Sequence, residues 1–148
     1  MNGWGSWLFF WRKKPPRAEH LRKGELGEAA ARRWLRRHGL KFLTANYRTP
    51  RGEIDLVFRD GECLVFVEVK TRSREDWARP ESAVDEDKRR RLIATAGDYV
   101  RALRGPYPRW RFDVVEVLIR QDHIREIRHL PNAFPGIQPP KRTRSNRR

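Results

Sequence analysis

An α/β fold, a mixed β-sheet flanked by helices in the order αβββαββ, is predicted by three features of the sequence. Two apolar, β-branched runs meet at Asp60-Gly61, two segments carry apolar residues at helical spacing, and an alternating strand follows the second of them. The chain has 148 residues, within the range of a single domain.

The elements follow in order. Gly24 to His38 is expected to be helical, with Leu26, Ala30 and Trp34 at helical spacing and Gly39 as its stop. Lys41 to Arg48 is the first strand, and residues 52–72 form a hairpin around Asp60-Gly61. With Asp60 and Gly61 as the loop, Arg59 pairs with Glu62 and Asp55 with Phe66. One face then carries Ile54, Leu56 and Phe58 opposite Cys63, Val65, Val67 and Val69. The other carries Glu53, Asp55, Glu68 and Lys70, with Val57, Leu64 and Phe66. Asp55 and Glu68 become diagonal neighbours, about 5.5–8 Å apart at Cα. A three-residue loop would slip the register by one and separate the two carboxylates, which the wholly apolar face argues against. After a polar loop, Asp85 to Leu103 is the second helix, with Leu92, Ala96, Tyr99, Val100 and Leu103 as its apolar stripe. Trp110 to Ile119 alternates as a strand, and Ile124 to His129 pairs back through Arg120–His123.

The ends have a different composition, which divides the chain into residues 1–19, a folded domain over 20–134, and a tail over 135–148. Met1 to Trp11 holds Trp4, Trp7, Leu8, Phe9, Phe10 and Trp11, followed by Arg12-Lys13-Lys14-Pro15-Pro16. It lacks the charge order and cleavage site of a signal peptide and is far shorter than a membrane span of about 20 residues. Three roles stay open for it: contact with a membrane interface or a partner, packing against the domain, or an unstructured tail. From Pro135 onward Pro, Arg and Lys dominate, as in a solvated basic tail.

Composition narrows the function classes. Cys63 is the single cysteine, which excludes an internal disulfide and a cysteine-based zinc site and fits the reducing cytoplasm. His20, His38, His123 and His129 show no metal-ligand spacing. With 34 Lys and Arg against 19 Asp and Glu, the formal net charge is +15, an electrostatic reason to associate with nucleic acid or an anionic membrane. Nothing resembles a base-reading helix, so recognition by shape is expected.

The chemistry is concentrated in the hairpin. Charges within apolar strands are costly unless paired or bound to metal. Asp55 and Glu68 converging beside Lys70 suit a hard divalent cation, Mg2+ or Mn2+, since magnesium accepts one or two carboxylates and keeps positions for water and phosphate. Such an ion polarises a phosphodiester and supplies hydroxide near neutral pH. Lys70 would orient the attacking water or steady phosphoryl charge. The alternative is an exposed ion-pair ladder, since Glu-x-Lys is common in strands.

These residues carry a resemblance. Asp55 followed by Glu68-Val69-Lys70 resembles the signature of the PD-(D/E)xK nuclease superfamily. Gly24-x-x-Gly27-Glu28-x-x-Ala31, Asn46-Tyr47-Arg48, Gly52-Glu53-Ile54-Asp55-Leu56, Phe66 to Arg72, Ala83-Val84 before Lys88, and Arg111-Phe112-Asp113-Val114-Val115 resemble the bacterial YraN family of predicted endonucleases. That family is similar to archaeal Holliday-junction resolvases. The match runs from about Gly24 to about Val117; Glu75 to Pro80 departs from it by lacking a Phe-Gly.

The resemblance implies a restriction-endonuclease-like fold and metal-dependent cleavage of nucleic acid, structured or branched DNA ahead of RNA. Asp55 and Glu68 would hold the metal with the Val69 carbonyl, and Lys70 would assist the water. The helix-borne Glu28 is nominated ahead of Glu25 to complete the site; compensation of the helix dipole is its ordinary explanation. Glu53 and Lys88 would support the site. Lys88, in a first helical turn, opposes the dipole and is expected to face a phosphate or an acid, or else to be solvated. Asp113 is a further supporting candidate, most simply explained by an Arg111 partner. Arg48, Arg72, Arg89 and Arg90 are candidates for contact with nucleic acid, and a homodimer would suit a two-fold symmetric substrate. The rival expectation is a non-catalytic nucleic-acid-binding protein that keeps the fold.

Overall fold

The computed structural model of the chain describes residues 16–73, 84–104 and 108–136. The aromatic segment through residue 15, the departing Glu75–Pro80 segment and the tail from residue 137 lie outside the described residues. The elements are α1 (Pro16–Arg37), β1 (Lys41–Thr49), β2 (Gly52–Asp60), β3 (Cys63–Arg72), α2 (Glu86–Ala102), β4 (Arg109–Arg120) and β5 (His123–Phe134). The strands form one five-stranded sheet in sequence order. β3 and β4 run parallel while the other neighbours are antiparallel, so the sheet is mixed. This is the expected αβββαββ order and a restriction-endonuclease-like α/β arrangement.

Each helix covers one face. Ala31 and Leu35 of α1 pack on Leu56, Phe58, Val65, Val67, Val115 and Val117. On the opposite face Leu92, Ala96 and Val100 of α2 pack on Ile54, Val57, Leu64, Phe66, Phe112 and Val114. An aromatic run crosses this second layer, with ring centroids 5.0 Å apart for Tyr47–Tyr99, 5.7 Å for Tyr99–Phe66, 5.6 Å for Phe66–Phe112 and 4.7 Å for Phe112–Phe134. Asp85 caps α2, its side chain accepting from the Lys88 amide at 2.8 Å.

Four local features differ from expectation. The loop of the β2–β3 hairpin is Gly61-Glu62, and Asp60 pairs with Cys63. Gly61 takes φ 56, a left-handed value that costs a glycine nothing, while Asp60 stays in the strand and receives Arg111 Nη1 at 2.8 Å. The register therefore moves by two residues, Val57 facing Phe66 and Leu56 facing Val67, and a two-residue shift leaves every side chain on its face. Second, Ile54 packs on the α2 side, away from Leu56 and Phe58. Third, α1 begins at Pro16, where a proline's fixed φ suits a first helical position. Its added turns are held by polar contacts, Glu19 with Lys23 at 2.8 Å and Arg22 with Asp122 at 2.7 Å, which leave no apolar stripe to read. Fourth, β5 extends to Phe134 past an irregularity opposite Asp113, where Asn132 takes φ 52. Among the described residues no helix is long and apolar enough to cross a membrane.

Candidate metal centre

The start of β2, the end of β3, the middle of α1 and the first turn of α2 meet around two carboxylates. The β2–β3 ladder ends at Leu56 and Val67. One step beyond, the amide of Val69 donates to Asp55 Oδ2 at 2.7 Å, so a side chain occupies the place of a strand carbonyl. In a strand the N–H and C=O of one residue point the same way, so the Val69 carbonyl also faces β2. Asp55 carries a carboxyl pushed up to about 7 by burial and by the neighbouring Glu68, against which the Val69 hydrogen bond acts.

Glu68 is 6 % exposed. Its Oε1 receives two ammonium groups, Lys70 Nζ at 3.3 Å and Lys88 Nζ at 3.4 Å. Its Oε2 is buried without a hydrogen-bond partner. An unpaired buried carboxylate oxygen is costly, and here it stands beside a second carboxyl that burial and its neighbour hold back from ionising. Both conditions are relieved by one divalent cation, so this donor set fits magnesium or manganese. Among the described residues no three His, Cys, Asp or Glu side chains form a ready-made cage. Two carboxylates, a backbone carbonyl and water are the donors that magnesium ordinarily takes.

Glu28 lies in the middle of α1, so compensation of the helix dipole does not explain it. The helix comes close to the sheet at Gly27, where an added Cβ would collide with Thr71 Oγ1. Burial, then Glu53, Glu25 and Glu68, raises the Glu28 carboxyl above its ordinary range. Glu53 is paired with Arg48, Nε to Oε1 at 3.0 Å. Lys88 faces an acid, as one of its expected alternatives had it.

The remaining candidates lie elsewhere. Asp113 is fully buried on the α1 side of β4, opposite to the face that carries Glu68. Arg111 Nε at 3.0 Å, His129 Nε2 at 2.8 Å and the Asn132 amide at 3.0 Å converge on it. Burial pushes its carboxyl up, but the bonds from His129, Arg111 and Asn132 outweigh burial and hold it below the ordinary range. The Arg111 partner is the expected one; His129, which shows no metal-ligand spacing in the sequence, is part of this network and meets Trp34 of α1 edge-on at 5.5 Å. Arg72 lies 3.3 Å from Glu116, Nε to Oε1, and Arg128 Nη1 lies 3.2 Å from the other oxygen. Glu116 is 1 % exposed and beside Lys70 in the parallel ladder, yet nothing but its position inside an apolar strand marks it in the sequence. The Arg89 guanidinium lies over the Phe134 ring at 5.4 Å, and Arg90 is exposed and paired with Glu86 and Asp87.

Comparison with known proteins places these residues in a family. Residues 27–117 match the family described as Uncharacterised protein family UPF0102, a span that contains Glu28, Glu53, Asp55, Glu68, Lys70, Lys88 and Asp113. The chain is 45% identical to a UPF0102 protein of Anaeromyxobacter dehalogenans over 113 residues, 76% of this chain and 84% of that one. It is 50% identical to one of Solibacter usitatus over 99 residues, 66% and 75% of the two chains. With one of Moorella thermoacetica the identity is 44% over 116 residues, 76% and 95% of the two. The chain belongs to UPF0102, the YraN-like family that its motifs resemble.

Proposed function

We propose that the protein is a metal-dependent endonuclease that hydrolyses phosphodiester bonds of nucleic acid, DNA ahead of RNA. The observation that carries this is the buried, unpartnered Oε2 of Glu68 beside Asp55. A site built only to bind phosphate would not set a buried acid beside a half-buried one where they repel it, whereas a cation between them reverses the local charge.

Asp55, Glu68 and the Val69 carbonyl would hold the ion, which supplies Lewis-acid polarisation of a phosphoryl oxygen and hydroxide near neutral pH. Lys70 and Lys88 fix Glu68 through Oε1 and leave Oε2 free for coordination. The Lys70 ammonium, 30 % exposed on the same strand face, is placed to orient water and to counter charge developing on the phosphoryl group. Glu28, its carboxyl raised by burial and by neighbouring acids, would support the site from α1.

Charge supports the choice of substrate. No Asp or Glu occurs between Glu28 and Glu53, a span holding Arg32, Arg33, Arg36, Arg37, Lys41, Arg48 and Arg51. Arg32, Arg33, Arg36 and Arg37 of α1 are exposed, as expected of side chains that contact a phosphate backbone.

The test is cleavage of labelled single-stranded, duplex, flap and four-way-junction DNA, and of duplex RNA, with magnesium or manganese against EDTA. Wild type, Asp55→Asn and Lys70→Ala are compared. Metal-dependent products from wild type, lost in both variants, are expected. Equal binding by all three proteins with no cleavage would replace this function with non-catalytic binding of nucleic acid.

A further inference from the structure

In an unbroken strand, residues two apart share a face. Two neighbouring strands break this rule at the same place. On β1, Ala45 packs on the α1 side and Tyr47 on the α2 side. On β2, Leu56 packs on the α1 side and Ile54 on the α2 side. The pairs Ala45–Leu56 and Tyr47–Ile54 keep one register across the break, so no residue is inserted there. Asn46 and Asp55 lie between these pairs. Asn46 has φ 51, the left-handed region that residues with a Cβ rarely enter and asparagine enters more readily than most. The other non-glycine residues with positive φ among those described sit after α2, in the β4–β5 turn, or at the β5 irregularity.

We propose that Asn46 is a positioning residue for the metal centre, a role that rests on the metal-binding reading of Asp55 and Glu68. Its left-handed backbone turns β1 over, and β2 turns with it through the paired residues on either side. That rotation takes Asp55 out of the ordinary alternation of faces. Its carboxylate then lies toward β3, where Oδ2 accepts the Val69 amide. The Asn46 side chain is exposed, so the backbone conformation rather than packing carries the effect. Tyr47, turned inward by the same break, meets Tyr99 of α2 at 5.0 Å and holds the switched segment against that helix.

The test compares Asn46→Gly, Asn46→Ala and Asn46→Val in the full chain by two readouts, Mn2+ affinity by calorimetry and exchange of the Val69 amide by NMR. Glycine accepts a positive φ freely, alanine resists it, and valine resists it most. Asn46→Gly is therefore expected to keep wild-type affinity and Val69 protection. Asn46→Ala and Asn46→Val are expected to lose about tenfold or more in Mn2+ affinity, the usual scale for residues that orient a ligand, and to expose the Val69 amide. Wild-type affinity and protection in Asn46→Val would overturn the proposal, as would equal loss in Asn46→Gly and Asn46→Ala. If wild type takes up no Mn2+ while Asn46→Val still frees the Val69 amide, the metal reading fails and the backbone device stands.

Discussion

Asp55 Oδ2 accepts the amide proton of Val69 at 2.7 Å, so a carboxylate replaces a main-chain carbonyl where the β2–β3 ladder ends. One contact thereby anchors Asp55, turns the Val69 carbonyl toward the same space, and sets both beside Glu68. A half-buried acid and a buried one thus stand side by side, which makes the stability of the cluster depend on protons and cations.

The Asp55 carboxyl is raised from an ordinary value of 3.8 to about 7, by burial first and Glu68 second. Between these values the folded chain holds a proton that the unfolded chain has released, so stability falls as pH rises through that window. Without metal, the protein is expected to be more stable at pH 5 than at pH 8 in respect of this group. Asp55→Asn should remove that dependence. Because one pKa unit corresponds to about 1.4 kcal/mol, it should also stabilise the metal-free protein at pH 8 by on the order of 1 kcal/mol or more. Denaturant unfolding in EDTA across pH 5–8 measures both.

A divalent cation should act in the opposite sense. At pH 8, magnesium or manganese at 100 times its Kd is expected to stabilise wild type by about 2.7 kcal/mol. Neither Asp55→Asn nor Glu68→Gln should respond. Thermal unfolding with and without metal decides this, and an equal shift in all three proteins would mean that the ion binds elsewhere.

The two lysines on Glu68 should separate by function. Lys88→Met removes one of two cations from a buried carboxylate and is expected to cost about 1–2 kcal/mol of metal-free stability, with metal offsetting part of it. Lys70→Ala should keep metal binding while lowering the cleavage rate by about 10²–10³-fold. Unfolding and single-turnover cleavage of both variants provide the comparison.

Asp113 should behave as a structural residue. Asp113→Ala leaves Arg111 and His129 without their buried partner and is expected to cost about 3–5 kcal/mol, with cleavage per folded molecule unchanged. Its depressed carboxyl contributes stability above pH 3.8 that is lost as pH falls through the lower folded value, so the variant should also lose part of the acid unfolding transition. A specific loss of cleavage in well-folded Asp113→Ala would return it to the site.

Most of this arrangement was legible because strand alternation and hairpin length constrain which side chains meet. Glu68 and Lys70 share a face as expected even though the loop proved to be Gly61-Glu62, since a two-residue shift preserves facing, while Asp55 joins them through the Val69 amide beyond the end of the ladder. Ile54 was misplaced because alternation assumes an unbroken strand, and the break at Asn46 and Asp55 arises from a backbone dihedral that no periodicity reveals. The first turns of α1 were missed because surface ion pairs, not an apolar stripe, accompany them. Glu116 and His129 went unrecognised for a related reason: their partners Arg72, Arg128 and Asp113 become neighbours only through strand pairing.

The most direct measurement is anomalous diffraction from crystals soaked in Mn2+ at pH 8. A single peak is expected about 2.0–2.3 Å from Asp55 Oδ1, Glu68 Oε2 and the Val69 carbonyl, with water completing the shell. Absence of density between Asp55 and Glu68, with Oε2 of Glu68 instead taken by a protein donor, would contradict a metal centre in this fold.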